Sequence, residues 1–469
     1  MILATAHHYK WCQVAAAIKH PERGKIFDLS QDINKELGIT NADVKLYPSD
    51  GYGNPDLLRE LINREHPDLI LHFTDPRFFG WLYSIEHEIR QFCPIAYLNI
   101  WDCPPDPKWN EPFYRSCDLL MAISKQTYGI NKRMLPDYEP WQVKYVPHGI
   151  NTKYNYPLIG TDDDKSEYNE FKKNLVGDKF NFVVLLNNRN IRRKNIPDIV
   201  LGYKKFCDEL SPEQSKRCLL YLHTQAADSN GTDLVAVCNA VCPDYSVYIS
   251  DRQLTTKELR YLYNVADVTI NIASNEGFGL TTCESLMNGT PIIVNVTGGL
   301  QDQCGFSKNG KYLTADDYIK IGSLHNTHFA DGVWNKYGSW VYPIWPASRS
   351  LKGSIPTPYI FDDTVNYEDV APALHHFYNM TSEQRKKCGM EGRNYLLDSN
   401  VMMNEKDLGK NYIDAIDTLF EKWKPRKPFS LIPVNYKDKF KNVKLVDASI
   451  KKPKPVAVPL TLPKLKKIE

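Results

Sequence analysis

Over the first 150 residues, short apolar runs alternate with stretches of helical period. This is the pattern of buried strands separated by helices in a parallel α/β sheet. Residues 2–6, 25–29, 68–73, 95–100, 118–124 and 144–147 read as strands, and 54–65 and 81–92 as helices. A polar, acidic stretch at 158–178 suits an exposed linker. The alternation then restarts, with strands at 180–186, 218–223, 246–249 and 268–273 and helices at 198–210, 233–241 and 256–264. Two similar α/β domains, 1–157 and 179–400, are the expectation.

Residues 305–358 break the alternation. They are rich in aromatics (Tyr312, Tyr318, Trp334, Tyr337, Trp340, Tyr342, Trp345) and read as an insertion with its own packing, because a structureless loop of that length is rare in a compact domain. Helical period returns at 367–379, 382–396 and 405–422. The tail, 425–469, holds seven prolines and is expected to be extended. It also carries twelve Lys/Arg against three Asp/Glu, leaving the rest of the chain with 46 against 53. Such a basic tail aids solubility, or holds an acidic surface such as nucleic acid or an anionic membrane face.

The chemistry concentrates in residues 274–300. An apolar strand runs into a loop with Glu276, Gly277, Phe278 and Gly279, and a helix follows from about Thr281 that carries Glu284. Free N–H groups at a helix N-terminus attract anions, yet two carboxylates there would repel a phosphate unless they bind hydroxyls of the molecule that carries it. A sugar nucleotide has both groups. Arg189 and Lys194 follow the first strand of the second domain, where open α/β sheets place their ligand crevice. Cations there would stabilise charge growing on a departing diphosphate.

The stretch from Asn275 to Pro291, with Glu276 and Glu284 eight apart, resembles the E-x7-E signature of glycosyltransferase family 4, a family of retaining, nucleotide-sugar-dependent enzymes. Arg189 and Lys194 resemble its diphosphate pair, and Val146-Pro147-His148-Gly149-Ile150-Asn151 resembles the turn that closes its first domain. The resemblance covers most of residues 90–300 and returns at about 359–422. It implies a GT-B fold: two Rossmann-like domains facing across a cleft, here with the aromatic insertion and the basic tail, and a helix at 401–424 crossing back to the first domain. It further implies that Glu284 binds the ribose hydroxyls and that Glu276 sits near the transferred sugar. The backbone amides of Phe278, Gly279 and Leu280 would lie near sugar and diphosphate, with Gly277 and Thr281 completing the donor site.

The first domain departs from the family. Where a Gly-Gly loop is usual, this chain has Ala6-His7-His8-Tyr9-Lys10; Lys10 or a histidine meets phosphate or acceptor there, or caps a helix. Where a histidine is frequent, it has Trp101-Asp102-Cys103-Pro104-Pro105; Asp102 is a candidate polar group near the reacting sugar, or starts a Pro-rich turn. Asp75 and Arg77 are candidates for the acceptor side.

Composition narrows the rest. At 42% hydrophobic and 24% charged residues the chain is an ordinary globular one, with no run of apolar residues long enough to span a membrane. Eleven cysteines without CxxC pairs read as reduced thiols, hence a cytoplasmic location. The acidic run Asp162-Asp163-Asp164 superficially resembles a metal motif but sits in the linker, so no metal is expected. The expected activity is transfer of a sugar from a UDP-sugar, in preference to a GDP-sugar, to a hydroxyl of a glycan or of a hydroxymethylated DNA base. The alternative is a sugar-nucleotide-binding module that has lost catalysis.

Overall fold

The computed structural model describes residues 25–49, 51–158, 165–320 and 336–427, and the backbone of 2–5 and 10–16. The chain divides into a body, Met1–Arg426, and a segment from Lys427 to Glu469 of which Lys427 alone is described. His7, His8, the acidic run 162–164 and nearly all of the basic tail lie outside the described residues.

The first sheet contains β1 (Ile2–Thr5), β2 (Lys10–Ala16), β3 (Phe27–Asp28), β4 (Asp43–Ser49), β5 (Leu69–Phe73), β6 (Ile95–Asn99), β7 (Leu119–Ala122) and β8 (Val143–Tyr145), in the order β3-β4-β2-β1-β5-β6-β7-β8. From β5 to β8 the pairing is parallel, with Phe73 opposite Leu98 and Asn99 opposite Ala122. Two strands correct the all-parallel expectation: interior β1 runs antiparallel to both β2 and β5, and edge strand β3 runs antiparallel to β4. The link from Thr5 to Lys10 is too short for the crossover of roughly a dozen residues that a parallel pair needs. Lys10 therefore opens a strand, and neither a loop nor a helix cap.

The second sheet contains β9 (Phe182–Asn187), β10 (Cys218–His223), β11 (Val247–Ser250), β12 (Val268–Asn271), β13 (Ile292–Asn295) and, beyond the short ribbon β14 (Ser307–Lys308) and β15 (Lys311–Tyr312), β16 (Val341–Ile344). All neighbours are parallel, in the order β11-β10-β9-β12-β13-β16. Counted from β9, this is the 3-2-1-4-5-6 order of a doubly wound sheet, whose halves diverge between β9 and β12. The stretch expected as a self-packed insertion thus supplies the sixth strand. Residues 321–335, with Trp334, lie outside the described residues, but Tyr318, Trp340 and Trp345 pack into the body: Trp340 stacks on Tyr395 with centroids 4.9 Å apart, and its indole N–H donates to the Gln303 carbonyl at 2.9 Å. Next comes an antiparallel hairpin, β17 (Ser348–Ser354) and β18 (Thr357–Thr364).

Each sheet has its own core, but one further cluster is common to both. Leu98, Met121, Ile123 and Val146 of the first lobe pack with Phe278, Leu286, Val294 and Leu300 of the second. Burying one such side chain stabilises by about 1.5–3 kcal/mol, so this shared cluster holds the two lobes together. The helix Glu405–Lys422 adds Leu408, Tyr412, Ile416 and Phe420 to that cluster. Its first residue, Glu405, accepts from the Thr152 hydroxyl at 2.6 Å, tying the helix to the end of the first lobe.

Candidate active site

The site lies where the halves of the second sheet diverge. After β9 the chain makes a short 3-10 turn, Arg192–Lys194, and Asn195 adopts a left-handed φ of +51° before the helix Ile196–Asp208 begins. After β12 it crosses Ser274–Gly279 and enters the helix Leu280–Met287. Two backbone-directed contacts lock these loops together. The Ser274 N–H donates to the Arg193 carbonyl at 2.7 Å, and Asn195 Nδ2 donates to the Ile272 carbonyl at 3.1 Å.

That lock brings Lys194 Nζ onto Glu276 Oε2 as a direct hydrogen-bonded ion pair, with Arg193 Nη1 3.6 Å from the same oxygen. Arg193 Nη1 also donates to the Asn275 carbonyl. Burial acts against the Glu276 anion, but the Lys194 ammonium and the Arg193 guanidinium outweigh it and hold the carboxyl below the usual range. Glu276 is a fixed, buried anion at neutral pH.

Gly298 closes over this loop at a left-handed φ of +48°, and a Cβ there would stand 2.0 Å from the Glu276 carbonyl oxygen. The adjacent Gly299 N–H donates to that same oxygen at 2.8 Å. Gly277 lets the lobes approach, since a Cβ there would lie 3.1 Å from Ile123 Cδ1 and 3.2 Å from the Ile100 carbonyl of the first lobe. Gln303 Nε2 donates to the Phe278 and Gly279 carbonyls at 2.7 and 2.9 Å, which fixes the loop's exit into the helix. The Phe278 ring itself is buried, edge-on to His148, whereas Leu280 is exposed.

Glu284, in the second turn of that helix, accepts from the Tyr263 hydroxyl at 2.7 Å, and Tyr263 in turn accepts from Asn187 Nδ2 at 2.9 Å. Burial pushes the Glu284 carboxyl above its ordinary value, with the Tyr263 bond opposing. A cleft of about 700 Å³ opens on the cation side of this machinery, lined by Arg189, Arg193, Lys194, His223, Arg252 and Thr281 among others. Arg189 does not reach Glu276. It is exposed and pairs with Asp228 at 2.8 Å, so the cations meeting Glu276 are Arg193 and Lys194. Motif spacing singles out Arg189 and Lys194; only the run Arg192-Arg193-Lys194 hinted at a further cation.

From the first lobe, Asp102 enters the same field. Burial raises its pKa, the Arg193 charge and a hydrogen bond from the Cys103 thiol at 2.9 Å lower it, and the Glu276 charge raises it again. Asp75 and Arg77 stand together at the end of the neighbouring strand, with Arg77 Nε 3.1 Å from Asp75 Oδ2. The side chain of Lys10 is outside the described residues.

The β17–β18 hairpin was not legible as part of a site. Asn275 Nδ2 donates to Asp362 Oδ1 at 2.6 Å and the Asp363 N–H to the Ser274 carbonyl at 3.1 Å, while the Phe361 N–H donates to the Pro104 carbonyl at 2.7 Å. One hairpin thus braces the carboxylate loop and the Asp102 loop together. The β-branched and aromatic run Tyr359-Ile360-Phe361 after a Gly-Ser-Ile-Pro turn was the signal available for it.

A second interlobe polar group is Asp302, whose Oδ2 accepts from the Lys125 N–H at 2.9 Å and the Tyr145 hydroxyl at 3.0 Å. Burial raises its pKa to about 6, with Lys125 opposing. A carboxyl raised on folding binds its proton more tightly in the native state, so its favourable contribution is present at acid pH and is lost as pH climbs to about 6. Urea melts of Asp302→Asn against the parent should therefore favour the variant progressively between about pH 4 and 7, by up to about 3 kcal/mol. A pH-independent difference would show that Asp302 is ionised throughout.

Among the described residues, no group of three or more His, Cys, Asp or Glu is placed to hold a metal ion, and no helix is long and apolar enough to cross a membrane. The ten described cysteines are free thiols.

No protein-family model matches the chain. It is 22% identical over 232 residues to mannosylfructose-phosphate synthase of Agrobacterium fabrum, covering 45% of this chain and 44% of that protein. Over 225 residues it is 24% identical to alpha-monoglucosyldiacylglycerol synthase of Acholeplasma laidlawii, covering 46% and 51%. The chain thus spans about half the length of the curated relatives it matches. Among solved structures it resembles sucrose-phosphate synthase from Thermosynechococcus elongatus, with a TM-score of 0.57, 14% identity and coverage of 87% and 89% of the two chains. It also resembles Anabaena HepE, solved with UDP and glucose, with a TM-score of 0.54, 12% identity and coverage of 83% and 89%. These likenesses and the two α/β lobes define the fold as GT-B.

Proposed function

We propose that this protein is a retaining glycosyltransferase of the family 4 kind, which moves a sugar from a nucleoside-diphosphate sugar to a hydroxyl of an acceptor glycan. The carrying observation is Glu276, held as an anion by Lys194 and Arg193 at the divergence of a doubly wound sheet, beside a cleft that those two cations line together with Arg189 and Thr281. Arg189, Arg193 and Lys194 supply the positive charge for a diphosphate, and Glu284 accepts from ribose hydroxyls. Glu276 and Asp102 face the transferred sugar from opposite lobes. Cys103 occupies one Asp102 oxygen, leaving the other for a sugar hydroxyl.

In this reading the bond from the anomeric carbon to the diphosphate oxygen breaks, and the acceptor oxygen bonds to that carbon on the same face. The acceptor proton passes to the departing diphosphate. The cations carry the leaving group's charge, so the scheme calls for no metal. Closure of the cleft over the donor would exclude water and limit hydrolysis. UDP is the preferred nucleotide, supported by the fold's likeness to a protein solved with UDP and glucose.

The test is a thermal-shift series with UDP and GDP, followed by incubation with their sugars. UDP should stabilise the protein and a UDP-sugar should be consumed; no stabilisation by any nucleotide would sink the reading. Stabilisation without turnover of any UDP- or GDP-sugar would leave a sugar-nucleotide-binding module. Glu284→Ala should weaken UDP binding about tenfold or more, the loss of a charged hydrogen bond. Arg189→Ala should chiefly slow transfer.

A further inference from the structure

Beside the Asp102 loop, β5 ends at Phe73 and the chain turns at Thr74, whose φ of +97° is an outlier for a β-branched residue. Such strain persists where surrounding structure imposes it, and it clusters at ligand sites. This turn presents Asp75, Arg77 and Phe78. Asp75 Oδ1 accepts from the Arg77 N–H at 3.0 Å, and Arg77 Nη1 donates to Thr357 Oγ1 at 3.2 Å, near the tip of the hairpin. The Arg77 guanidinium lies 5.0 Å from the Phe78 ring centroid. Phe78 stacks on Tyr52 with centroids 4.6 Å apart and planes 16° apart. Tyr52 is carried on a turn between Gly51 and Gly53, which closes against the Trp81 ring.

Both stacked rings are on the surface: Phe78 is 40% and Tyr52 37% exposed, and Phe73 close by is 44% exposed. Stacked on one another, the two rings offer a ligand what remains exposed of each, with the Asp75–Arg77 ion pair at the rim, and this combination suits one chemistry best. A pyranose ring offers a C–H face to an aromatic ring and hydroxyls to both an acceptor and a donor. A nucleic acid would bring its phosphates up to Asp75, and a hydrocarbon chain would strand the polar pair.

Position also ties this platform to the cleft. Because β5 and β6 are parallel neighbours, the Asp75 turn and the Asp102 loop leave the same end of the sheet from adjacent strands. The hairpin spans both, touching Arg77 through Thr357, Pro104 through Phe361 and Asn275 through Asp362.

We propose that Tyr52, Phe78, Asp75 and Arg77 form a carbohydrate subsite that takes a pyranose ring of the acceptor. That the ring belongs to an acceptor rests on the transferase reading above, whereas ring binding itself does not.

Saturation-transfer NMR on the full chain, with methyl α- and β-glucopyranoside, methyl α-mannopyranoside, maltose and cellobiose, tests it with and without UDP. At least one of these should bind with saturation concentrated on its ring C–H protons. Phe78→Ala and Tyr52→Ala should each weaken that binding about tenfold, Phe78→Trp should restore it, and the UDP thermal shift should stay unchanged in all three. The subsite is overturned if none of these sugars binds the parent, if binding is as strong in Phe78→Ala, or if an oligonucleotide containing hydroxymethylcytosine binds through Phe78 and the sugars do not. Sugar binding through Phe78 with no effect of any nucleotide would uphold the subsite and remove the transferase reading instead.

Discussion

Lys194→Met should destabilise the folded protein by about 3–5 kcal/mol at neutral pH, the usual consequence of leaving one partner of a buried ion pair alone. The Lys194 and Glu276 side chains are 7% and 12% exposed, so the water that reaches them from the cleft replaces the lost ammonium only in part. Arg193, at 3.6 Å, remains as partial compensation, which places the expectation at the lower end of that range. The pH dependence has a definite sign. The Glu276 carboxyl is held below its usual value on folding, so the pair stabilises above the unfolded carboxyl range and its contribution fades as pH falls through the folded value. Urea denaturation should therefore show the gap between parent and variant narrowing in acid. The double variant Lys194→Met/Glu276→Gln should recover much of the loss, since it leaves no buried charge. A gap under about 1 kcal/mol at neutral pH would mean that Glu276 is not held as an ion.

The second large effect is expected at Arg349. Its Nε and Nη2 donate to the two Asp363 oxygens at 2.6 and 2.7 Å, and Asp363 is fully buried. The Thr297 hydroxyl donates to the same carboxylate at 2.8 Å, and Asn295 Nδ2 donates to the Asp363 carbonyl at 2.8 Å. Arg349→Met removes the bidentate partner, and about 3 kcal/mol of stability should go with it. Because Asp363 also holds the Ser274 carbonyl, the hairpin should loosen from the carboxylate loop. Hydrogen exchange should then rise across 348–364 and 274–279. Destabilisation with unchanged exchange in those segments would show that the hairpin is held by other contacts.

Much of the second lobe was legible because its signals are local. The strands β9, β10, β12 and β13 are short apolar runs, and the helix Thr256–Val265 announces itself with Thr255 and Glu258 in a reciprocal capping box. The first lobe was harder. β2 and β4 carry polar residues on an outer part of the sheet, Lys-Trp-Cys-Gln and Asp-Val-Lys-Leu, and lack the apolar runs that marked β5, β6 and β7 (Leu-Ile-Leu, Ile-Ala-Tyr-Leu and Leu-Leu-Met-Ala). The strand β16 was hidden inside an aromatic-rich stretch. Its partner β13 lies far back in the chain, and nothing local distinguishes an aromatic residue packed in the body from one in a separate insertion.

What the sequence by itself determined is therefore the class of each lobe, and the loop that brings Glu276, its glycines and Glu284 into one short segment. Apolar period, caps and glycine positions act within a few residues of one another, and they do not depend on the rest of the fold. Only the tertiary structure decided that Arg193 with Lys194, and not Arg189, meets Glu276. That contact joins residues 82 positions apart. It follows from which strand ends meet at the divergence of the sheet. The field shared by Asp102 and Glu276, and the hairpin bracing both loops, are of the same kind: they exist only once two lobes have closed around one core.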